Sequence, residues 1–485
     1  MEILYIKNNS KIIALKMNFM YNGSVKFKRR RKFMKSKVSY LIIGIFIGII
    51  IAIIAILSYC VINKDNNQNT DLGKQQSETI SENGQTSENS SEITYSAVIE
   101  ITEDTEIDDG EYLSENEDEN AILVNGEINV ELSNIYVEKT GDSDGGDNTS
   151  FYGTNSAIIA KSGANLVIED AEITTNADGA NGVFSYGGQA TTNNSSSDGT
   201  TVTISNSSIT TTKDNSGGIM TTGGGTMVAK NLTITTSGIS SAAIRTDRGG
   251  GTVTVTDGTY TTNGAGSPTV YSTADVTVND ATLVSNVAEG ICIEGKNSVT
   301  INNCELTDSN TKLNGLSTTY KNIFLYQSMS GDAADGTSEF TAKNSTITTN
   351  NGDTIYITNT IAVINLENNE FINNDEDGNF LRAQADSWGN DGSNGGDVTL
   401  ILTNQEVTGN IVIDSISSLD MELEENSYFE GTINGDNESQ EITLSLDSSS
   451  KIKLTGDSYI TSLECEDYDN IDLNGYSLYV NGEAI

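Results

Sequence analysis

The chain has 485 residues, with 68 Asp and Glu against 26 Lys and Arg, and a formal net charge of −42 at pH 7. So acidic a chain argues against nucleic acid or an anionic membrane surface as the partner of the main domain, because both bind positive surface. The sequence contains no histidine, which excludes Ser-His-Asp and Cys-His nucleophile systems and histidine-based zinc sites. Its four cysteines are too few for a disulfide framework.

The first 37 residues are basic. They hold 11 of the 26 Lys and Arg residues and one acid, Glu2, which gives a net charge of +10 (11 − 1). An uncharged segment follows at residues 38–62, and its apolar core begins at Leu41 and ends at Ile62. A helix needs about 20 apolar residues to cross the hydrocarbon layer, so this segment predicts one transmembrane helix. Because basic flanks stay in the cytoplasm, residues 1–37 are predicted to be a cytoplasmic tail and the chain after Lys64 to be extracellular.

The apolar run is longer than the core of about 7–15 residues that is typical of a cleaved signal peptide, which favours an uncleaved anchor. Residues 63–92 consist mainly of Asn, Gln, Ser, Glu and Thr. Such a composition cannot bury a core, so we predict a disordered linker there. Residues 93–485 are predicted to form one extracellular domain.

This domain repeats one pattern, in which two short alternating runs flank an Asn or Asp. Residues 202–211 read VTISNSSITT, and residues 166–175 read LVIEDAEITT. The period of two and the abundance of Val, Ile and Thr predict strands. Asn or Asp between two strands suits a corner, because these residues tolerate left-handed backbone. The corner residues of the ten copies are Asn134, Asp170, Asn206, Asn231, Asp257, Asp280, Asn303, Asn344, Asn368 and Asn404.

A third apolar run follows each pair, as in GVFSY at residues 182–186 and GICIE at residues 290–294. Three short strands in each repeat of roughly two dozen residues predict an all-β solenoid, a parallel β-helix of about 12–13 coils. The Leu-x-x-Leu-x-Leu pattern of leucine-rich repeats is absent, and a propeller blade would need about 40 residues or more.

With these runs and corners, the chain resembles the right-handed parallel β-helix of the pectate-lyase-like superfamily, in its adhesin-like bacterial surface versions. The Asn and Asp corners match the asparagine ladder of those folds. The resemblance covers roughly residues 93–485. It implies a right-handed coil and an outer face on which the enzymes of the superfamily place acids and bases, although one fold carries many activities.

Alternation along the third run predicts which side chains point outward. Adjacent coils lie about 4.8 Å apart, so these side chains are expected to form a continuous strip. Aromatic rings could stack on sugar rings while the polar groups bind hydroxyls; the plain alternative is a sheet surface with scattered aromatic residues. Cys292 is expected on the same face. The predicted ligand-binding strip consists of Phe184, Tyr186, Arg245, Asp247, Arg248, Tyr271, Glu294 and Tyr356.

Arg245, Asp247 and Glu294 are the candidates on the strip for lyase or hydrolase chemistry. A loop with alternating oxygen ligands, Asp142, Asp144 and Asp147, is a weak candidate for calcium, because it lacks the distal Glu of an EF-hand. Its plain alternative is a solvated acidic loop. Calcium is the only cofactor that the sequence suggests.

The sequence therefore favours a single-pass membrane protein that displays a β-helix outside the cell as a non-catalytic adhesin or glycan-binding module. Its expected partner is a polysaccharide or the surface of a host or neighbouring cell. A polysaccharide lyase or hydrolase is the first alternative, and a structural spacer without a small ligand is the second.

Overall fold

The computed structural model describes residues 93–143, 146–188, 196–439, 441–465 and 467–485, together with two short strands near the N-terminus. The chain divides into two units, Met1–Ser77 and Glu78–Ile485. In the first unit, Lys7–Asn8 and Lys11–Ile12 form an antiparallel pair. The rest of the predicted tail, the apolar segment 38–62 and the linker 63–92 lie outside the described residues. No helix among the described residues is long and apolar enough to cross a membrane.

The second unit consists of parallel strands that stack one repeat upon the next, and one repeat is called a coil below. The third runs form sheet A, which has twelve strands, and each pairs with the third run of the next coil. Sheet A contains Ser96–Ile101, Glu119–Asn125, Ile158–Lys161, Val183–Tyr186, Ile219–Thr222, Ile244–Thr246, Val270–Ser272, Ile291–Glu294, Lys321–Tyr326, Asp353–Thr358, Leu381–Ala383 and Ile411–Ile413.

The first and second runs form sheet B, which has 20 strands. In several coils one strand passes through the corner without a break, so the two runs belong to one sheet. Sheet B contains Thr105–Ser114, Asn129–Lys139, Asn165–Glu169, Glu172–Thr175, Thr201–Ser205, Ser208–Thr211, Gly225–Thr236, Gly251–Thr262, Asp275–Asn279, Thr282–Ser285, Ser298–Asn302, Glu305–Asp308, Thr337–Lys343, Thr346–Thr349, Thr360–Glu367, Glu370–Asn373, Gly396–Thr403, Ser418–Glu424, Ile442–Leu446 and Ser462–Cys465.

Two small sheets complete the C-terminal coils. Sheet C has four strands, and sheet D has three, of which the last pair is antiparallel. Their strands are Glu406–Thr408, Tyr428–Gly431, Lys451–Leu454 and Ile471–Asp472 in sheet C, and Ser458–Ile460, Leu478–Val480 and Glu483–Ala484 in sheet D. Helical structure in this unit is limited, among the described residues, to the α-helix Asp147–Tyr152 and the 3₁₀ turn Tyr468–Asn470. The all-β prediction is confirmed, and the stacked parallel sheets are consistent with a parallel β-helix.

The corner residues behave as the sequence pattern predicts. All ten have positive φ, between 47° and 60°. Several corners also bond to the next: Asn231 Nδ2 donates to Asn206 Oδ1 (2.9 Å), and Asn368 Nδ2 donates to Asn344 Oδ1 (2.7 Å). Asn therefore has two roles at the corner: it adopts the left-handed backbone conformation, and its side-chain amide forms hydrogen bonds between successive coils.

The interior is one continuous apolar core with a polar column along one corner. Val183, Ile219 and Ile244 belong to the core and lie in register on successive coils. The last residues of the second runs also point inward and form the hydroxyl column: Thr175, Thr211, Thr236, Thr262, Ser285, Asp308 and Thr349, with Lys139 at its start. All eight are buried. Thr211 and Thr236 donate their hydroxyl protons to the backbone carbonyl groups of Ser216 and Ser241, so these two buried acceptors of the following turns have hydrogen-bond partners.

The corner can be tested at Asn231, whose side chain is exposed. We expect Asn231→Val to lower the free energy of unfolding by about 1–2 kcal/mol, because a β-branched residue is disfavoured in the left-handed region. Asn231→Gly is the matched control: it also loses the bond to Asn206, but it adopts positive φ freely. Urea unfolding followed by circular dichroism measures both variants. Equal losses in the two would contradict the conformational argument.

Candidate functional site

The predicted strip lies on the outer side of sheet A, as alternation requires. Register places Phe184, Met220, Arg245, Tyr271, Cys292, Phe324, Tyr356 and Arg382 in one column across successive coils. Phe184 and Met220 belong to a cluster separate from the main core, which confirms that they lie on the opposite face from Val183 and Ile219.

The expectation that this face is an exposed strip is wrong. Phe184 and Tyr356 have no exposed surface, and Asp247 and Glu294 are 5% and 2% exposed. The reason is that chain segments between sheets fold back over sheet A and cover its outer side. The predicted residues are consequently divided between two aromatic clusters and a polar cluster between them.

The first aromatic cluster contains Phe184 and Tyr186 and is covered by the helix Asp147–Tyr152. Tyr152 meets Tyr186 edge to face, with ring centroids 5.7 Å apart, and its carbonyl accepts a hydrogen bond from Tyr95 (2.8 Å). Gly153 follows the helix, and a Cβ there would lie 2.8 Å from the Phe184 ring. The close approach that glycine allows brings this segment down onto Phe184.

The second aromatic cluster contains Tyr356, Phe324, Tyr326 and Trp388, beside Cys292. Phe324 and Tyr326 stack at 4.3 Å, and the Trp388 ring lies 5.3 Å from each. Tyr356 donates its hydroxyl proton to Asp386 (2.8 Å). Sequence reasoning missed Phe324, Tyr326 and Trp388. The first two lie in the longest step between corner residues, where the third run follows a long insertion, and Trp388 lies in a loop outside the repeat.

The polar cluster is centred on the carboxylate of Glu294. It accepts hydrogen bonds from the hydroxyl groups of Tyr271 (2.5 Å), Tyr326 (2.9 Å) and Ser328. Burial raises the pKa of Glu294, and these three donors oppose that change. The glutamate is thus held from one side by sheet A and from the other by the loop that contains Ser328.

Asp247 belongs to the same cluster. Burial has the largest effect on its pKa, and Glu294 is close enough for its carboxylate to raise that pKa slightly. Its carboxylate pairs with Arg245 at 3.1 Å and accepts the backbone N–H of Arg248 at 2.9 Å. Burial raises the pKa of Asp247 to about 7, and the neighbouring Arg245 guanidinium limits the rise. The three sequence candidates for catalysis, Arg245, Asp247 and Glu294, are therefore brought together, but they are enclosed.

A stack of three residues holds the covering loop in place. Arg248 pairs with Asp332 of the loop at 2.8 Å, and its guanidinium lies 3.9 Å from the ring centroid of Phe151. Phe151 belongs to the helix that covers the first aromatic cluster. The stack therefore connects the helix over the first aromatic cluster to the loop over the polar cluster, across several coils.

Two further pairs of opposite charges lie next to the second aromatic cluster. Lys321 Nζ lies 3.8 Å from Glu289, and Arg382 Nε lies 2.6 Å from Asp353. Lys321 is fully buried over the ring of Phe324, and burial lowers its pKa. Because each buried charge has an opposite neighbour, this group is a structural support of the outer face.

An open groove lies at the corner between sheets A and B, with a volume of about 1190 Å³. We call it the corner groove; its lining residues fall within the segments 327–336, 359–361, 389–397 and 415–418, to which Glu441 is added, and Asp332 and Asp391 of these segments are not part of the lining. Each of these segments precedes a sheet B strand, and the five strands follow one another coil by coil. At about 4.8 Å per coil the groove is roughly 20 Å long.

The corner groove has both apolar and acidic groups that reach solvent. Met329, Ile361 and Ile416 are 60%, 50% and 41% exposed. The charged residues in its lining are the acids Asp335, Asp397 and Glu441, and no Lys or Arg is among the lining residues. Sequence reasoning missed this groove, because its residues come from loops of five different coils and follow no repeat.

Only part of the predicted calcium loop is among the residues that the structure describes. Asp142 is exposed, accepts the backbone N–H of Asp178 (2.9 Å) and pairs with Lys213 (3.3 Å). Asp144 and the side chain of Asp147 lie outside the described residues, so calcium binding in this loop stays a prediction. Within the described ranges, no group of three or more His, Cys, Asp or Glu side chains is placed to share a metal ion.

The buried carboxyl of Asp247 predicts a pH dependence of stability. Its pKa is about 7 in the folded chain and about 4 when unfolded, so the folded state retains a proton that the unfolded state loses. Asp247 therefore makes its full contribution to the free energy of unfolding below about pH 4. This contribution falls by about 1.4 kcal/mol per pH unit as the pH rises towards 7.

The test is urea unfolding of the wild type and Asp247→Asn between pH 4 and pH 8. We expect the wild type to lose stability relative to the variant up to about pH 7 and the difference to be constant above it. A difference that does not change across this range would contradict the assignment.

Comparisons with known proteins supply no relative for this chain. No protein-family model matches it, and no curated protein and no solved structure matches it either. A function must therefore be argued from the stacked sheets, the enclosed outer face and the corner groove.

Proposed function

We propose that this chain is a membrane-anchored cell-surface protein whose β-helix binds an extended, neutral polysaccharide in the corner groove without cleaving it. In this proposal the domain is a right-handed β-helix of the adhesin-like, pectate-lyase-like kind. Residues 38–62 anchor it, residues 1–37 lie in the cytoplasm, and residues 63–92 hold the β-helix away from the membrane. The observation that carries the proposal is the corner groove itself, which is open, elongated and lined by loops.

The mixture of groups in the groove suits sugar rings. Met329, Ile361 and Ile416 offer exposed apolar surface for the C–H faces of a pyranose ring. Asn390, Ser393 and Ser415 are exposed polar residues of the same lining and offer hydrogen bonds to hydroxyl groups. Ligand sites generally combine apolar walls with a few polar groups that fix orientation.

Charge in the groove selects among polysaccharides. The three acids of the lining repel uronate groups, and no lining cation compensates for them. A neutral or amino-bearing glycan therefore fits better than an acidic one. The roughly 20 Å length along five coils corresponds to an extended oligosaccharide rather than a single sugar.

Binding can be tested with Met329→Ala combined with Ile416→Ala. Removing two exposed apolar side chains from the groove is expected to weaken binding of a neutral glycan about tenfold, which corresponds to about 1.4 kcal/mol. Calorimetry or retention on immobilised glycan measures the change, over a panel of neutral, amino-bearing and uronate polysaccharides.

The matched control is Val228→Ala combined with Leu113→Ala, which removes exposed apolar side chains outside the groove lining and should leave binding unchanged. An equal loss of glycan affinity in both double variants would contradict binding in the corner groove. No saturable binding of any glycan would favour the structural spacer instead.

A polysaccharide lyase or hydrolase is the second candidate, and one observation favours it. Asp247 and Glu294 lie in one cluster beside Arg245, and burial raises the pKa of both carboxyl groups. Carboxyl groups with raised pKa values are common among catalytic acids. Both groups are enclosed by the loop containing Ser328 and Asp332, which would have to open to admit a sugar chain.

We expect the wild-type protein to release no product from these polysaccharides, as measured by reducing ends and by absorbance of unsaturated sugars. Release that disappears in Asp247→Asn and persists in Asp275→Asn would establish the enzyme and contradict the non-catalytic proposal. Asp275 serves as control because it is an exposed acid of sheet B that does not line the corner groove.

A further inference from the structure

The hydroxyl column contains one residue that does not fit its chemistry. In three other coils the column residue donates its hydroxyl proton to a carbonyl of the following turn: Thr211, Thr236 and Ser285, the last of which donates to Ala288 (2.8 Å). Asp308 occupies the next place in the column. An ionised carboxylate only accepts hydrogen bonds, so it cannot perform the same role.

Three buried oxygen atoms around Asp308 have no donor among the described residues. They are Asp308 Oδ2, Asn310 Oδ1 and Asn322 Oδ1. All three side chains have no exposed surface. A buried acceptor without a partner costs free energy, and native proteins leave very few of them.

Hydrogen bonds tie these three residues into a single corner. The backbone N–H of Asn310 donates to Asp308 Oδ1 at 2.7 Å, and Asn310 Nδ2 donates to the carbonyl of Lys321, the residue before Asn322, at 3.0 Å. Asn322 Nδ2 donates to the hydroxyl of Thr349 at 3.1 Å. Thr349 is the register partner of Asp308 in the next coil.

We propose that Asp308, Asn310 and Asn322 hold a calcium ion inside this corner of the β-helix. Carboxylate and amide carbonyl oxygens are the ligands that calcium prefers, and one ion would satisfy all three unpaired oxygens together. The Lys321 ammonium does not occupy this place. It donates to Ser317 Oγ (2.7 Å) and to the carbonyl of Thr319 (2.9 Å), and it lies over the outer aromatic cluster.

A proton on Asp308 is the competing explanation. Burial raises the pKa of Asp308 to about 8, so its carboxyl could donate one hydrogen bond. One proton, however, satisfies one amide oxygen and leaves the other unpaired. A cation satisfies both, and this difference favours calcium over protonation alone.

The first measurement is the calcium content of the full-length protein, purified in detergent and passed through metal-free buffer, by mass spectrometry of the metal. We expect about one calcium ion per chain. Thermal unfolding after EDTA treatment is then followed with added Ca²⁺, Mg²⁺ or Na⁺. The wild type should regain its melting temperature with Ca²⁺ in a saturable manner and respond less to the other two ions.

Asp308→Thr is the decisive variant, because Thr is the residue of this column in five other coils and should keep the stack folded. It is expected to lose both the bound calcium and the Ca²⁺-dependent rise in melting temperature. Asp275→Asn, at an exposed acid of sheet B outside both calcium candidates, is the control and should retain both. Calcium retained in Asp308→Thr would overturn the proposal.

Asp308→Asn separates calcium from the proton. An Asn side chain can donate to an amide oxygen, as a protonated Asp can, but it supplies no charge for a cation. A wild type without calcium whose melting temperature is matched by Asp308→Asn would overturn the proposal in favour of protonation. A calcium response present in the wild type and lost in Asp308→Asn would support the ion.

Discussion

Register between successive coils is the constraint on which the rest of this molecule depends. Each strand of sheet A pairs with its counterpart one repeat away, so a residue is always stacked on the residue in the same place of the next coil. This arrangement holds only if every coil turns its corner at the same point. The Asn and Asp residues with left-handed backbone provide that turn. Hydrogen bonds between the side-chain amides of the Asn corners fix the spacing between coils. The apolar core, the hydroxyl column and the outer columns all follow from this regular stacking.

The outer face of sheet A shows how insertions between runs change a regular surface. Stacking alone would leave Phe184 and Tyr356 exposed. The helix after the sheet B strand Asn129–Lys139 covers the first, and the loop with Trp388 covers the second. Burial then changes the chemistry of the polar side chains between them. Asp247 and Glu294 find partners in Arg245 and the Tyr271 hydroxyl, and this enclosed cluster supports the covering loops from below.

The repeat was readable from the sequence because it is local. The positive φ of the corners, the strand period and the alternation of sheet A depend on residues within one coil, and all agree with the structure. Coverage of the outer face depends on where loops of unequal length come to lie, and no period describes them. For the same reason the corner groove and Trp388 were not predicted. The unpaired oxygen atoms at Asp308 can be recognised only from three-dimensional contacts, because an Asp at the end of a strand is not unusual in a sequence.

The stack of Phe151, Arg248 and Asp332 has a consequence for how the molecule unfolds. In a solenoid whose strands bond only to adjacent coils, stability is a sum of nearest-neighbour terms, and a weak coil can open while distant coils remain folded. Arg248 and Asp332 are 84 residues apart, and the Thr222 hydroxyl donates to the carbonyl of Phe151 across 71 residues. These contacts bypass intermediate coils. They couple the opening of one coil to the loss of contacts at another, so the central part of the solenoid gains cooperativity that its backbone ladder alone would not provide.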